Sequence, residues 1–154
     1  MILMNLYADN LYCFNDFHIN FSYPKKIVNS HIEGEFLAER LNFRYRKANV
    51  IMGANASGKT SLGRLIMSIL NFLTSKNLDS ITNCIPDKKR DAVFEIDFVV
   101  KIESEYHMYR VHSEFAPSIN ENYSSENVKL SVRSVKVRKN DSYEICVEKI
   151  EKET

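Results

Sequence analysis

The run Gly53-Ala54-Asn55-Ala56-Ser57-Gly58-Lys59-Thr60 constrains this chain more than any other feature. It fits the pattern G-x-x-x-x-G-K-[ST], which ordinary residue usage produces by accident in roughly one chain in 200 of this length. Each residue type in it has a physical reason. The glycines let the backbone wrap closely around phosphate oxygens, with successive N–H groups turned inward as an anion nest. Lys59 reaches the outer phosphates as a mobile point charge, and the Thr60 hydroxyl is a ligand for Mg²⁺. The chain is therefore expected to bind a nucleoside triphosphate, with ATP and Mg²⁺ as its cofactors.

The flanks supply the context this loop requires. Asn49 to Met52 is a short apolar run leading into Gly53, and is expected to be a buried strand that ends at the turn. From Gly58 to about Ser75, Leu62, Leu65, Ile66, Ile69, Leu70 and Leu73 recur at spacings of three and four, which predicts an amphipathic helix. The loop then sits at that helix's N-terminus, where the helix dipole favours negative charge.

Upstream, 2–8 and 16–23 favour strands, and Phe17, Ile19 and Phe21 alternate with Asp16, His18 and Asn20 as in a half-buried hairpin. Asp9-Asn10 and Asn15-Asp16 provide turn chemistry between them. Residues 24–47 open on Pro24 and two lysines and close on Arg40, Arg44, Arg46 and Lys47, and predict a loop with a short helix. Residues 76–91 read as a surface connection. Beyond them, Phe94 to Ile102 alternates in a period of two, with Glu95 and Asp97 expected on the solvent face. A second alternating run, His107 to Phe115, completes a hairpin. Val128 to Val137 and Tyr143 to Ile150 predict two further strands, so that 92–150 reads as an antiparallel meander.

Bulk composition narrows the rest. With 154 residues, 44% hydrophobic and 27% charged, the chain has the make-up of one globular domain. The 21 basic and 20 acidic residues nearly cancel, so no global field draws it to nucleic acid or to a membrane. Cys13, Cys84 and Cys146 are odd in number and widely spaced, which fits reduced thiols in a cytoplasmic protein. No apolar run approaches the ~20 residues of a membrane-spanning helix.

The loop has a finer form, Gly53-x-Asn55-x-Ser57-Gly58-Lys59-Thr60, that resembles the G-x-N-x-S-G-K-[ST] loop of ABC-type ATPases, within them the SMC, RecF and overcoming-lysogenisation-defect group. Asn10-Leu11-Tyr12-Cys13-Phe14 is similar to the N-F-[RK]-S-F segment that precedes the loop in that group. The long stretch before the loop and the wording I-x-G-A-N-A-S-G-K also resemble AAA-type ATPases of bacterial abortive infection and phage defence. The resemblance implies an α/β (α+β) P-loop NTPase first lobe over 1–154, with a Walker A strand-loop-helix over 1–75 and an antiparallel β-subdomain after it. It implies a nucleotide site made of Gly53, Asn55, Ala56, Ser57, Gly58, Lys59, Thr60 and Ser61, with Thr60 on the metal and Ser61 donating to the α-phosphate. It also implies partners: a C-terminal lobe, a second ATPase head in a homodimer, and DNA through the parent protein, in repair or phage defence.

The sequence departs from that family at several points. It has no apolar run ending in Asp-Glu, no L-S-G-G signature and no glutamine, so no catalytic residue is identified. Val93-Phe94-Glu95-Ile96-Asp97 is a poor match to the acidic motif. The chain is therefore expected to be the first lobe of a longer ATPase, inactive or weak alone. The alternative is a non-catalytic interaction module gated by nucleotide. Tyr12 stands where the family has Arg or Lys, either as a ring for adenine or as a core aromatic. Arg44 and Arg46 are candidates for nucleotide or DNA contact or belong to a solvated basic face. His18, His31, His107 and His112 lack metal-ligand spacing.

Overall fold

The computed structural model describes residues 1–23, 33–54, 58–118, 120 and 122–152. Its centre is a five-stranded, wholly antiparallel sheet in the order β2-β1-β5-β6-β7. The strands are β1 (Ile2–Asp9), β2 (Phe17–Asn20), β5 (Ala92–Ile102), β6 (Glu105–Phe115) and β7 (Val128–Lys136). A separate hairpin joins β3 (Phe36–Leu37) to β4 (Arg40–Arg44), and three helices complete the fold: α1 (Lys59–Ser75), α2 (Asp79–Thr82) and α3 (Tyr143–Lys152).

The expected β1–β2 hairpin and the meander through β7 are present. In the turn between β1 and β2, Asn10, Tyr12 and Asp16 take left-handed backbone angles, and the Asp16 N–H donates to Asp9 Oδ1 at 2.9 Å. The β5–β6 turn is two residues long, and Glu103 takes the positive φ of 56° that such turns use.

Because the sheet is covered on both faces, there are two cores. On one face Leu62, Leu65, Ile69 and Phe72 of α1 pack with Leu6, Ala8, Phe94, Ile96, Val111 and Phe115. Each fully buried side chain of this kind contributes about 1.5–3 kcal/mol. On the other face α3 and the β3–β4 hairpin bring Tyr143, Cys146, Ile150, Leu37 and Phe43 against Met4, Val99 and Met108. A bulge between Leu3 and Asn5 places Met4 in this second core, while Leu3 and Leu6 remain with the first.

Four sequence expectations are corrected. Tyr143 to Ile150 is a helix, not a strand: Tyr143, Cys146 and Ile150 are buried at helical spacing, and the Ile145 N–H donates to the Ser142 hydroxyl as in an N-cap. The described part of 24–47 contains the β3–β4 hairpin and no helix, and Pro24, both lysines and His31 lie outside the described residues. The 76–91 connection is more than a surface link, since it forms α2 and buries Ile81, Thr82, Cys84 and Ile85.

Asp97, expected to be solvated, is fully buried. Its oxygens accept from Arg110 Nε and Nη2, both at 2.8 Å, and from the Tyr143 hydroxyl at 2.6 Å. The covering helix α3 makes that strand face an interior one. The bond to Asp97 raises the Arg110 pKa further, and burial followed by the nearby Asp97 charge raises that of Tyr143. Asp97→Ala, which removes the bidentate partner of Arg110 but leaves Glu95 and Glu151 beside it, is expected to cost about 3 kcal/mol in denaturant unfolding. Tyr143→Phe, which removes one charge-assisted bond, is expected to cost about 1.5–3 kcal/mol.

The cysteines form no disulfide. Cys13 is exposed, while the Cys146 thiol is pushed up to about 12, mainly by burial and next by the Asp141 carboxylate. The stability this shift contributes is complete below the ordinary thiol value of 9.0 and is lost as pH rises through about 12. Mass spectrometry after brief alkylation at neutral pH is expected to show Cys13 modified and Cys146 protected until unfolding. Cys146→Ala is expected to flatten the fall in stability across that alkaline window.

Candidate functional site

The end of the loop is fixed by α1. Gly58 caps that helix in a left-handed conformation (φ 88°, ψ 5°), no side chain caps the first turn, and no acidic residue lies in it. A helix start of this kind keeps its N–H groups and positive dipole end for an outside anion. Lys59 curls back over the loop, its Nζ donating to the carbonyl oxygens of Gly53 at 2.6 Å and Ala54 at 2.7 Å. One ammonium thus ties the first glycine of the motif to the start of the helix. Thr60 is exposed and Ser61 half-buried on the same turn. Asn55, Ala56 and Ser57 lie outside the described residues.

The segment Asn10 to Phe14 packs against this point. A Cβ on Gly58 would come within 3.0 Å of Cys13 Sγ and 3.7 Å of the Phe14 ring. Glycine is favoured here for its backbone angle, and a larger residue would also need the Cys13 side chain to give way. Asn10, fully buried, anchors the segment: its Nδ2 donates to the carbonyls of Asp87, Arg90 and Asp91, and its Oδ1 accepts from the Asp87 N–H at 3.2 Å. The supporting roles of Asn10 and Cys13 were not legible in sequence. The available hint was the left-handed tolerance of Asn, which says nothing of distant partners.

Tyr12 is half-buried. It packs on the first core, its hydroxyl lies 3.3 Å from Ser68 Oγ of α1, and its N–H donates to the Cys84 carbonyl. Contact with the Cys84 thiol, then burial, raise its pKa against a lowering effect of Ser68. Of the basic pair, Arg44 donates to the Leu41 carbonyl at 3.4 Å, and Arg46 lies over the Tyr23 ring at 5.5 Å. Arg46, Lys47, Tyr45 and Asn49 line a groove of about 340 Å³ that reaches Ile66 of α1.

Two expectations about the surroundings fail. Asn49 to Met52 is neither paired nor buried: Val50 is 85% and Met52 87% exposed, and the run forms no strand. The chain pairs at 45–46 with 21–22, and 49–52 then runs exposed and joins no strand of the described sheets. Glu95 and Asp97, the weak match to an acidic motif, lie on the sheet face opposite α1 and are engaged with Arg110. They cannot serve the loop. Among the described residues no group of three or more His, Cys, Asp or Glu side chains is placed to hold a metal, and no helix is long and apolar enough to cross a membrane.

No protein-family model matches this sequence, and no curated protein is significantly similar to it. The chain is a mixed α/β protein with an antiparallel sheet and three helices among the described residues.

Gly58→Ala is expected to cost about 1–2 kcal/mol from left-handed strain alone, and more from the clash with Cys13. Adding Cys13→Ala is expected to recover the steric part only. Equal thermal midpoints for the single and double variants would show that the close approach has no energetic weight.

Proposed function

We propose that this chain binds Mg-ATP as the first, P-loop lobe of an ABC-type ATPase head. The observation that carries this reading is the uncapped, acid-free N-terminus of α1, entered through a left-handed Gly58 and clasped by Lys59 onto Gly53 and Ala54. An isolated helix start is ordinary. One built with the required glycine, lysine and hydroxyl in register is what phosphate recognition needs. The nucleotide is assigned to Gly53 through Ser61, with Lys59 on the outer phosphates. Mg²⁺ would be held by the Thr60 hydroxyl and by phosphate oxygens, where it supplies charge neutralisation.

The exposed apolar surface around the loop supports the reading that a further lobe completes the site. Val50, Ile51 and Met52 lie open next to the motif. The outer side of α1 carries Met67 at 57% exposure, and Gly63 has nothing within 4 Å of where its Cβ would be. With Asp97 locked to Arg110, no catalytic carboxylate is assigned, and turnover is attributed to the completed head. A parent protein in DNA repair or phage defence, working as a dimer of heads, follows from the resemblance of the loop. Nucleotide-gated binding without catalysis is the second reading, favoured by the engagement of Asp97 with Arg110 on the far face of the sheet.

Calorimetric titration with Mg-ATP is expected to show saturable binding with little phosphate release. Lys59→Ala is expected to weaken binding by at least about tenfold, or ~1.4 kcal/mol, with an unchanged circular dichroism spectrum. Equal affinity in that variant would overturn the assignment.

A further inference from the structure

The outer edge of β7 combines three features that the nucleotide reading does not use. The first is an open backbone. The Val137 N–H donates to the Tyr106 carbonyl and the Ala116 N–H to the Asn127 carbonyl, so in this register the odd-numbered residues of β7 bond to β6. Val128, Leu130, Val132, Ser134 and Lys136 therefore turn their N–H and C=O groups outward. No other strand of the described residues pairs with that edge.

The second feature is apolar. Leu130 and Val132 are 52% and 58% exposed and sit on the α1 face of the sheet, opposite Ser113 and Val111. Beside them a groove of about 280 Å³ is lined by Phe72, Leu73, Leu78, Val128 and Leu130. The third is charge. Residues 128–139 carry Lys129, Arg133, Lys136, Arg138 and Lys139 and no carboxylate, in a chain whose 21 basic and 20 acidic residues nearly cancel as a whole. Lys129 is 85% exposed and reaches Glu114 only at 3.5 Å.

We propose that β7 is a docking edge for an extended, acidic segment of a partner protein, which joins the sheet as an added strand. Backbone bonds to Leu130, Val132 and Ser134 would supply affinity. Alternate side chains would supply specificity, apolar ones over Leu130 and Val132 and into the groove, acidic ones beside Lys129 and Arg133 on the opposite face. Lysines commonly protect sheet edges from association. Here they protect against one class of partner, because a second copy pairing through β7 would set like charges against each other across the new ladder. Nucleic acid would satisfy the cations but leave the outward N–H and C=O groups and the exposed Leu130 and Val132 without partners.

The test is fluorescence anisotropy of a short labelled peptide alternating valine and glutamate, titrated with the whole chain. Saturable binding is expected, and it should weaken about tenfold or more in Val132→Pro, which removes an outward N–H while sparing the ladder to β6. Lys129→Glu, a change at a side chain 85% exposed, is expected to shift preference toward a valine-lysine peptide. Failure of the acidic peptide to bind, or binding indifferent to both variants, would overturn the proposal. So would displacement of the peptide by single-stranded DNA at lower concentration, which would make the edge a nucleic-acid surface. Self-association that Val132→Pro abolishes would assign the edge to a second copy instead.

Discussion

The burial of Leu62, Leu65, Ile69 and Phe72 against the sheet decides where the rest of the candidate site can lie. A helix held by four side chains along one stripe cannot rotate or slide without exposing them, so the position of its first turn is set by packing at some distance from the loop. Phe72 meets both Phe94 and Phe115 edge-on, with ring centroids 6.1 and 5.5 Å away, which locks the far end of the same stripe. The C-terminal end of the loop is delivered by the packed helix, and Lys59 ties the exposed Gly53 and Ala54 carbonyls to it.

The opposite face of the sheet is organised around a charge. Asp97 is reached from β6 by Arg110 and from α3 by Tyr143, and Arg110 also meets Glu95 at 3.4 Å and Glu151 at 3.4 Å. Such a buried pair adds little net stability compared with apolar packing, but a misplaced α3 would deprive the carboxylate of the Tyr143 hydroxyl and uncover it. Its contribution is to fix the helix. The two faces thus divide the labour, one positioning the loop by hydrophobic contact and the other positioning the last helix by polar satisfaction.

Legibility in the sequence followed the strength of periodicity. Helix α1 and strands β5 and β6 each carry long runs of one period, and the sequence placed them well. Tyr143 to Ile150 misled because Tyr143, Ile145 and Val147 alternate like a strand while Tyr143, Cys146, Val147 and Ile150 fit a helix. Only the cap at Ser142 and the lack of a neighbouring strand decide between them. Asp97 misled for a related reason: alternation tells which residues share a face, not whether something covers it. Within the site, Gly53, Gly58, Lys59 and Thr60 were legible because their chemistry is local. The support from Asn10 and Cys13 was not, since it joins residues far apart in the chain. The run Asn49 to Met52 has the composition of a strand but no neighbour among the described residues, and composition alone cannot supply one.

The clasp formed by Lys59 makes the loop a site already occupied by its own backbone. An arriving anion meets an ammonium whose hydrogen bonds point at Gly53 and Ala54, and must offer enough negative charge to share or redirect them. A singly charged ion gains little from that exchange, whereas a polyphosphate can engage the helix dipole and the lysine together. On the proposed nucleotide reading, the two bonds from Lys59 to the Gly53 and Ala54 carbonyls would therefore also act as a threshold that screens ligands by charge before any contact with a base or sugar is made.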